Sequence, residues 1–299
     1  MHRERSFSLV DVALSGAVLI WGSNNIVVKS ALMQIPPMAF NAMRFVIAPV
    51  LLLLLTRLIE GDVSIARRDW GLTVVVGLVG HFAHQALFVQ GLARTSATNT
   101  ALVLAATPAF VALLGLARKS ERLSSRNWLG MLLSFAGIAL VISQQGSGLQ
   151  FGQQTLSGDA MMLGATVLWA LYILLSRPLV MRTSPLRAAA WSMVCAAPLL
   201  LLAGAPELRS LDWQSVSSAS KIGMLFSAVF SIAISYAIWN VGIRYVGSAH
   251  VAVYSYLTPL VTVIVAWIVL GEVLSLLQAA GGVMVLVGVA LGRQSGKPV

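Results

Sequence analysis

Three helical stretches of this sequence carry side chains with work to do. His81, His84, Gln85 and Phe88 fall at i, i+3, i+4 and i+7, one face of an α-helix. A neutral imidazole can donate to a carboxylate or accept from an ammonium group, and it can take up a proton near neutral pH. Ser231, Ser235 and Trp239 share a second face, with Tyr236 and Asn240 on the neighbouring one. The rings there can stack on a substrate ring or face its cation. Trp21-Gly22-Ser23-Asn24-Asn25 is the third stretch. Two adjacent amides are poor helix formers and poor lipid contacts, so Asn24 is expected to face inward. Trp169 and Tyr172 lie one turn apart in the matching later segment, and Asn99, Tyr254 and Tyr256 are weaker candidates. Arg44 stands alone within an apolar run. It reads as a structural arginine reaching headgroups or helix ends, with a bound carboxylate as the alternative.

What must position these groups is a set of membrane helices. Of 299 residues, 58% are hydrophobic and 10% charged, with a mean hydropathy of +0.86. Soluble proteins carry about 25% charged residues. A span needs about 20 apolar residues at roughly 1.5 Å each. Ten fit: 9–32, 36–56, 70–92, 97–117, 126–144, 157–177, 187–204, 220–241, 248–270 and 274–293. Runs this long exclude the alternating strands of a barrel, so the expected fold is all-α. The first run is too long for a signal peptide and reads as a retained span.

The net charge of +10 reads as a topology signal rather than a nucleic-acid surface. With the N-terminus inside, 15 of the 20 Lys and Arg residues fall on the cytoplasmic side. Lys29, Arg94, Arg209 and Lys221 fall opposite, and Arg44 lies within a span. Both termini are therefore expected in the cytoplasm of a bacterial inner-membrane protein. Lys29 is expected to snorkel. Cys195, the single cysteine, excludes an intramolecular disulfide and reads as a packing residue.

The chain repeats itself. Asp11, Gly16 and Trp21 return as Asp159, Gly164 and Trp169, an offset of 148, where Lys29 also returns as the basic Arg177. Pro36, Ala48 and Pro49 return as Pro185, Ala197 and Pro198, and Arg94 as Arg244. Thr107, Pro108, Glu121, Leu123, Ser124, Gly130 and Gly137 return 151 residues on, as Thr258, Pro259, Glu272, Leu274, Ser275, Gly281 and Gly288. Two units follow, 1–146 and 147–299, each with five spans. Five is odd, so the second unit enters from the other face, giving an inverted repeat around a central cavity. Pro108 and Pro259 fall mid-span at matching positions and are expected to free the carbonyls of Leu104 and Ser255, as kinks or gating points. Gly288 and Gly292 form a GxxxG, a signal for tight packing or a homodimer. Asp11 and Asp159 begin spans and are expected to cap them.

Gly91-Leu92-Ala93-Arg94-Thr95-Ser96-Ala97 with Ala101 and Thr107-Pro108 resembles the third-to-fourth helix signature of the EamA group of the drug/metabolite transporter superfamily. A second copy runs Gly242-Ile243-Arg244-Tyr245-Val246-Gly247-Ser248-Ala249, with Ala252 and Thr258-Pro259. Gly271-Glu272-Val273-Leu274-Ser275, then Gly281 and Gly288, resembles the ninth-to-tenth helix motif, whereas the first copy has Ser120 before Glu121. The chain is most similar to bacterial YddG-type amino-acid exporters. The resemblance implies a cavity lined by spans 1–4 and 6–9, and export of aromatic and other neutral amino acids. Multidrug efflux of lipophilic cations is the rival within this class.

No Walker loop appears, and nothing calls for a cofactor or metal. A metal hydrolase built on His81, His84 and His250 would need convergent ligands that the spacing does not promise. The mid-span regions lack carboxylates, which leaves the histidines as carriers for any proton coupling.

Overall fold

The computed structural model describes residues 9–117, 125–143, 153–247, 251–252, 254–255 and 257–293, and among them every regular element is helical. Glu121, His250 and Tyr256, and the terminal charges Arg3, Arg5 and Lys297, lie outside the described residues, as do Ser248 and Ala249 of the second signature copy. Helix α1 is Leu9–Ala31 and α2 is Pro37–Glu60. α3 is Arg67–Arg94, and α4 comprises two segments, Ala97–Leu104 and Thr107–Ala117. α5 is Ser125–Ser143, α6 Gln153–Arg182, α7 Pro185–Ser210 and α8 Ser218–Tyr245. α9 is Leu257–Leu270 and α10 Leu276–Arg293. α1, α2, α3, α4, α6, α7 and α8 are long and apolar enough to cross a membrane, while α5, α9 and α10 carry shorter apolar stretches.

The ends follow ordinary capping chemistry. Ser96, Ser184 and Ser217 each accept a backbone N–H three residues on, opening α4, α7 and α8. α2 starts at Pro37, where a missing N–H costs nothing, and stops at Gly61 with φ +70°. The core is apolar but also holds polar side chains, while the outer surface is apolar. Val46, Val50, Leu54 and Leu58 form an exposed ridge along α2, while Asn41, Arg44 and Thr56 of the same helix are fully buried. Apolar side chains outside and polar ones inside are what a hydrocarbon solvent selects.

Helices pack in pairs that recur between the two parts of the chain. α1 lies against α9 as α6 lies against α4; α3 lies against α6 as α8 lies against α1. α2 packs on α7, and α5 on α10. The α5–α10 seam closes almost backbone to backbone. A Cβ on Gly288 would sit 2.4 Å from the Gly130 carbonyl oxygen, and one on Gly281 would sit 2.7 Å from that of Gly137. Gly288 of the GxxxG is thereby committed inside the chain, and a dimer through that position is not available to it. Cys195 packs where α7 crosses Gly77 of α3, as expected of a small residue.

The expectations for Lys29 and Asp159 are corrected, and Asp11 is found to have a partner on another helix. Lys29 does not snorkel: its ammonium donates to the carbonyls of Leu92, Ala93 and Thr95 at 2.9, 3.3 and 2.6 Å. The open carbonyls ending α3 attract a cation. The two aspartates reach across to other helices. Asp159 accepts from the Thr95 hydroxyl at 2.5 Å and lies 3.5 Å from the Asn99 amide nitrogen. Asp11 accepts from the Tyr254 hydroxyl at 2.5 Å.

Capping across helices falls to other acids. Gly271 turns the chain after α9 with φ +67° and aims Glu272 at the start of α4. There Glu272 accepts from the N–H groups of Ala97 and Thr98 and from the Thr98 hydroxyl. Glu207 at the end of α7 takes the Ala39 N–H of α2, and Glu60 at the end of α2 takes Ser184 and Arg187 of α7. Glu272→Ala is expected to lower stability by about 1–2 kcal/mol, since it removes a cap and a negative charge from a helix N-terminus. Thermal unfolding of the detergent-solubilised protein measures this; an unchanged midpoint would remove Glu272 from the account.

Candidate functional site

The two segments of α4 meet at Ala105-Ala106. The Thr107 hydroxyl donates to the Leu104 carbonyl at 2.7 Å, which satisfies the acceptor that Pro108 leaves without its N–H. Pro108 therefore sits in the first turn of a new segment rather than in the middle of a kinked helix. Pro259 likewise sits in the first turn of α9. Both breaks bring a threonine, Thr107 and Thr258, to a cavity in the protein interior.

α3 and α8 each widen into a π turn, over Leu78–Ala83 and Ser227–Ile234. A π turn holds an extra residue and loosens the hydrogen-bond ladder. Carbonyls freed in α8 are taken by side chains: Trp21 Nε1 donates to Ser231 O at 2.9 Å, and Ser235 Oγ donates to Phe230 O at 2.8 Å. The turn also brings Ser231 and Tyr236, five residues apart, to the same cavity.

An aromatic wall forms where α1, α6 and α8 meet. Trp21 and Trp169, the repeat-related pair, stand edge to face with centroids 5.6 Å apart. Tyr236 lies 5.7 Å from Trp21 and 5.3 Å from Trp169. Tyr172 stacks behind Trp169 at 5.0 Å and 14°. Trp239 lies 4.9 Å from Trp21 and is fully buried, which removes it from an interfacial aromatic belt.

The polar wall is held by Gln85. Its Oε1 accepts from Arg44 Nη2 at 3.2 Å and its Nε2 donates to the Tyr236 hydroxyl at 2.9 Å. Arg44, fully buried, also donates to Asn41 Oδ1 at 2.5 Å and Ser227 Oγ at 2.9 Å. It does not reach headgroups or helix ends, which overturns its reading as a structural arginine there. Asn25 donates to Thr262 Oγ1 at 3.1 Å, whereas Asn24 Oδ1 has no partner. His84 contacts the Ala165 carbonyl through Nδ1 at 2.9 Å.

Of the residues singled out in the sequence, Trp21, Asn24, Arg44, His84, Gln85, Phe88, Trp169, Ser231 and Tyr236 line the cavity. Tyr172 and Trp239 back the ring wall. His81 points elsewhere, meeting Ser192 of α7 at 3.0 Å, because the π turn breaks the α-helical stripe of four into a stripe of three. Asn240 holds the Tyr172 hydroxyl at 3.2 Å. Ser235 is committed to its own backbone. Asn99 sits away from the cavity, between Asp159 and Gln278. Lining residues not proposed from the sequence as binding groups include Ser255, Thr107 and Thr258; the repeated Thr-Pro is the available signal for the last two.

The cavity has a volume of about 80 Å³. One water needs roughly 10–15 Å³, so the cavity has room for several. Among the described residues no group of three His, Cys, Asp or Glu side chains could hold a metal ion.

Spanning helices with apolar exteriors around an aromatic and polar cavity define a multi-pass membrane protein built to handle small solutes. The EamA-like transporter family model matches residues 8–143 and again 156–292, and the chain belongs to that family, within the drug/metabolite transporter superfamily. It is similar to the uncharacterized transporter YyaM of Bacillus subtilis, with 29% identity over 93% of this chain and 91% of that one. It is also similar to a protein of Salmonella typhimurium described as a probable amino-acid metabolite efflux pump, with 27% identity over 91% of this chain and 90% of the relative. A solved crystal structure shares the fold, with a TM-score of 0.70 and 18% identity over 95% of this chain and 96% of that one.

Proposed function

We propose that this transporter exports aromatic and other neutral amino acids across a bacterial inner membrane. In this reading ten helices form two inverted five-helix units, 1–146 and 147–299, with both termini in the cytoplasm. The units alternate in opening the cavity to either side. The double family match, the recurring helix pairs and the two π turns support paired units. The bias of basic residues supports the orientation.

The observation that carries the substrate reading is the unpartnered Asn24 Oδ1 beside the rings of Trp21, Trp169 and Tyr236. A buried acceptor without a donor loses roughly 1–3 kcal/mol, which a ligand ammonium can restore. The rings accept an aromatic or apolar side chain and the face of a cation. The Salmonella relative's description points the same way. A lipophilic cation would use the same wall, and this keeps multidrug efflux as the rival.

Proteoliposomes test it. Saturable uptake of radiolabelled phenylalanine, threonine and methionine is expected, and comparison with and without a pH gradient reports proton coupling. Transport of lipophilic cations with none of the amino acids would replace this reading with the rival.

A further inference from the structure

We infer that Arg44 is the carboxylate subsite of the cavity, and that the transported class is apolar or aromatic molecules bearing one carboxylate. The inference deepens the amino-acid reading and rests on it. Arg44 is fully buried, yet its hydrogen-bond partners, Ser227, Asn41 and Gln85, are all neutral oxygens. Among the described residues the ion pairs are those of Asp69, Glu60 and Asp62 with Arg68, Arg182 and Arg187, none of which involves Arg44. An isolated cation in low dielectric is strongly disfavoured until an anion joins it.

Two donors stand ready for that anion. Arg44 Nε and Asn41 Nδ2 are both buried and both without an acceptor. They belong to side chains one helical turn apart on α2, already joined through Asn41 Oδ1. The Nε–H of Arg44 and the adjacent Asn41 amide N–H suit the two oxygens of a carboxylate. Phe40 supports the guanidinium from one side, its ring centroid 4.8 Å from Cζ. The free acceptor at Asn24 has the opposite polarity. Arg44 and Asn24 both line the cavity, with Asn41 directly behind Arg44, so a carboxylate meets a cationic donor and an ammonium an acceptor, the complement of a zwitterion. Because the charge resides in Arg44, the carboxylate is the group the site requires, and the ammonium is accessory.

Competition in proteoliposomes separates the two ends of the substrate. Against labelled phenylalanine, 3-phenylpropionate, which lacks the amine, is expected to compete within about 30-fold of unlabelled phenylalanine. Phenethylamine, which lacks the carboxylate, is expected not to compete at a hundredfold excess. Arg44→Gln should raise the half-saturation concentration for phenylalanine by about 30-fold or more. Arg44→Lys, which keeps the charge without the fork, should recover part of the loss. Gel filtration of each variant reports whether it is folded.

Phenethylamine competing as well as phenylalanine, with Arg44→Gln folded and unimpaired, would overturn the carboxylate subsite and leave amino-acid transport standing. Uptake of labelled 3-phenylpropionate without phenylalanine would keep the subsite and overturn amino-acid export. Uptake of phenethylamine with neither carboxylate would overturn both.

Discussion

Trp169→Ala is expected to abolish phenylalanine uptake and to destabilise the protein by about 3–5 kcal/mol, the range for truncating a buried tryptophan. The indole is 8% exposed, and its ring meets those of Trp21, His84, Tyr172, Tyr236 and Trp239 within 5.7 Å. Both walls of the cavity therefore lose a support at once. Trp169→Phe keeps a ring over Tyr172 and is expected to fold with weakened uptake. The test compares unfolding midpoints in detergent with uptake in liposomes. Trp169→Ala transporting within a few-fold of wild type would dismiss the ring wall as part of the transport path.

Gly288→Val should also damage folding. A Cβ there meets the Gly130 carbonyl at 2.4 Å, the Ser134 hydroxyl at 2.5 Å and the Ser134 nitrogen at 2.7 Å. Two of these are backbone atoms with no rotamer to escape into, so α5 and α10 must move apart. Overpacking of this kind costs about 1–3 kcal/mol and more where the obstacle is backbone. Gly16→Ala is the control, because no atom lies within 4 Å of its added Cβ. It should leave folding unchanged or gain up to about 1 kcal/mol from helix propensity. Equal behaviour of the two variants in thermal unfolding would refute the tight seam.

The helices were legible because apolar length is a strong signal. The apolar runs 70–92 and 220–241 end short of the helices Arg67–Arg94 and Ser218–Tyr245, which continue into polar residues. Trp21 and Trp169 could be singled out as repeated residues, and the cavity brings them together. The α-helical stripe misled at His81, since no residue-level pattern announces a π turn, and its extra residue turns the preceding part of the face away. Arg44 was visible as an odd charge, but its partners are 41 and 183 residues distant in sequence, apart from Asn41. Contacts of that range depend on tertiary packing, and the same holds for Asp159 with Asn99.

The two π turns also contain a way to change the cavity without unfolding it. Each residue of an α-helix advances about 100° around the axis. Tightening the π turn over Leu78–Ala83 into α-helical winding would shift the register of α3 by one residue and rotate one end against the other by that angle. His84, Gln85 and Phe88 would leave the wall together, as a screw thread carries every mark on its shaft. The matching turn over Ser227–Ile234 would do the same to Tyr236. Gln85 and Tyr236 are hydrogen-bonded to each other, so either rotation would have to part that bond.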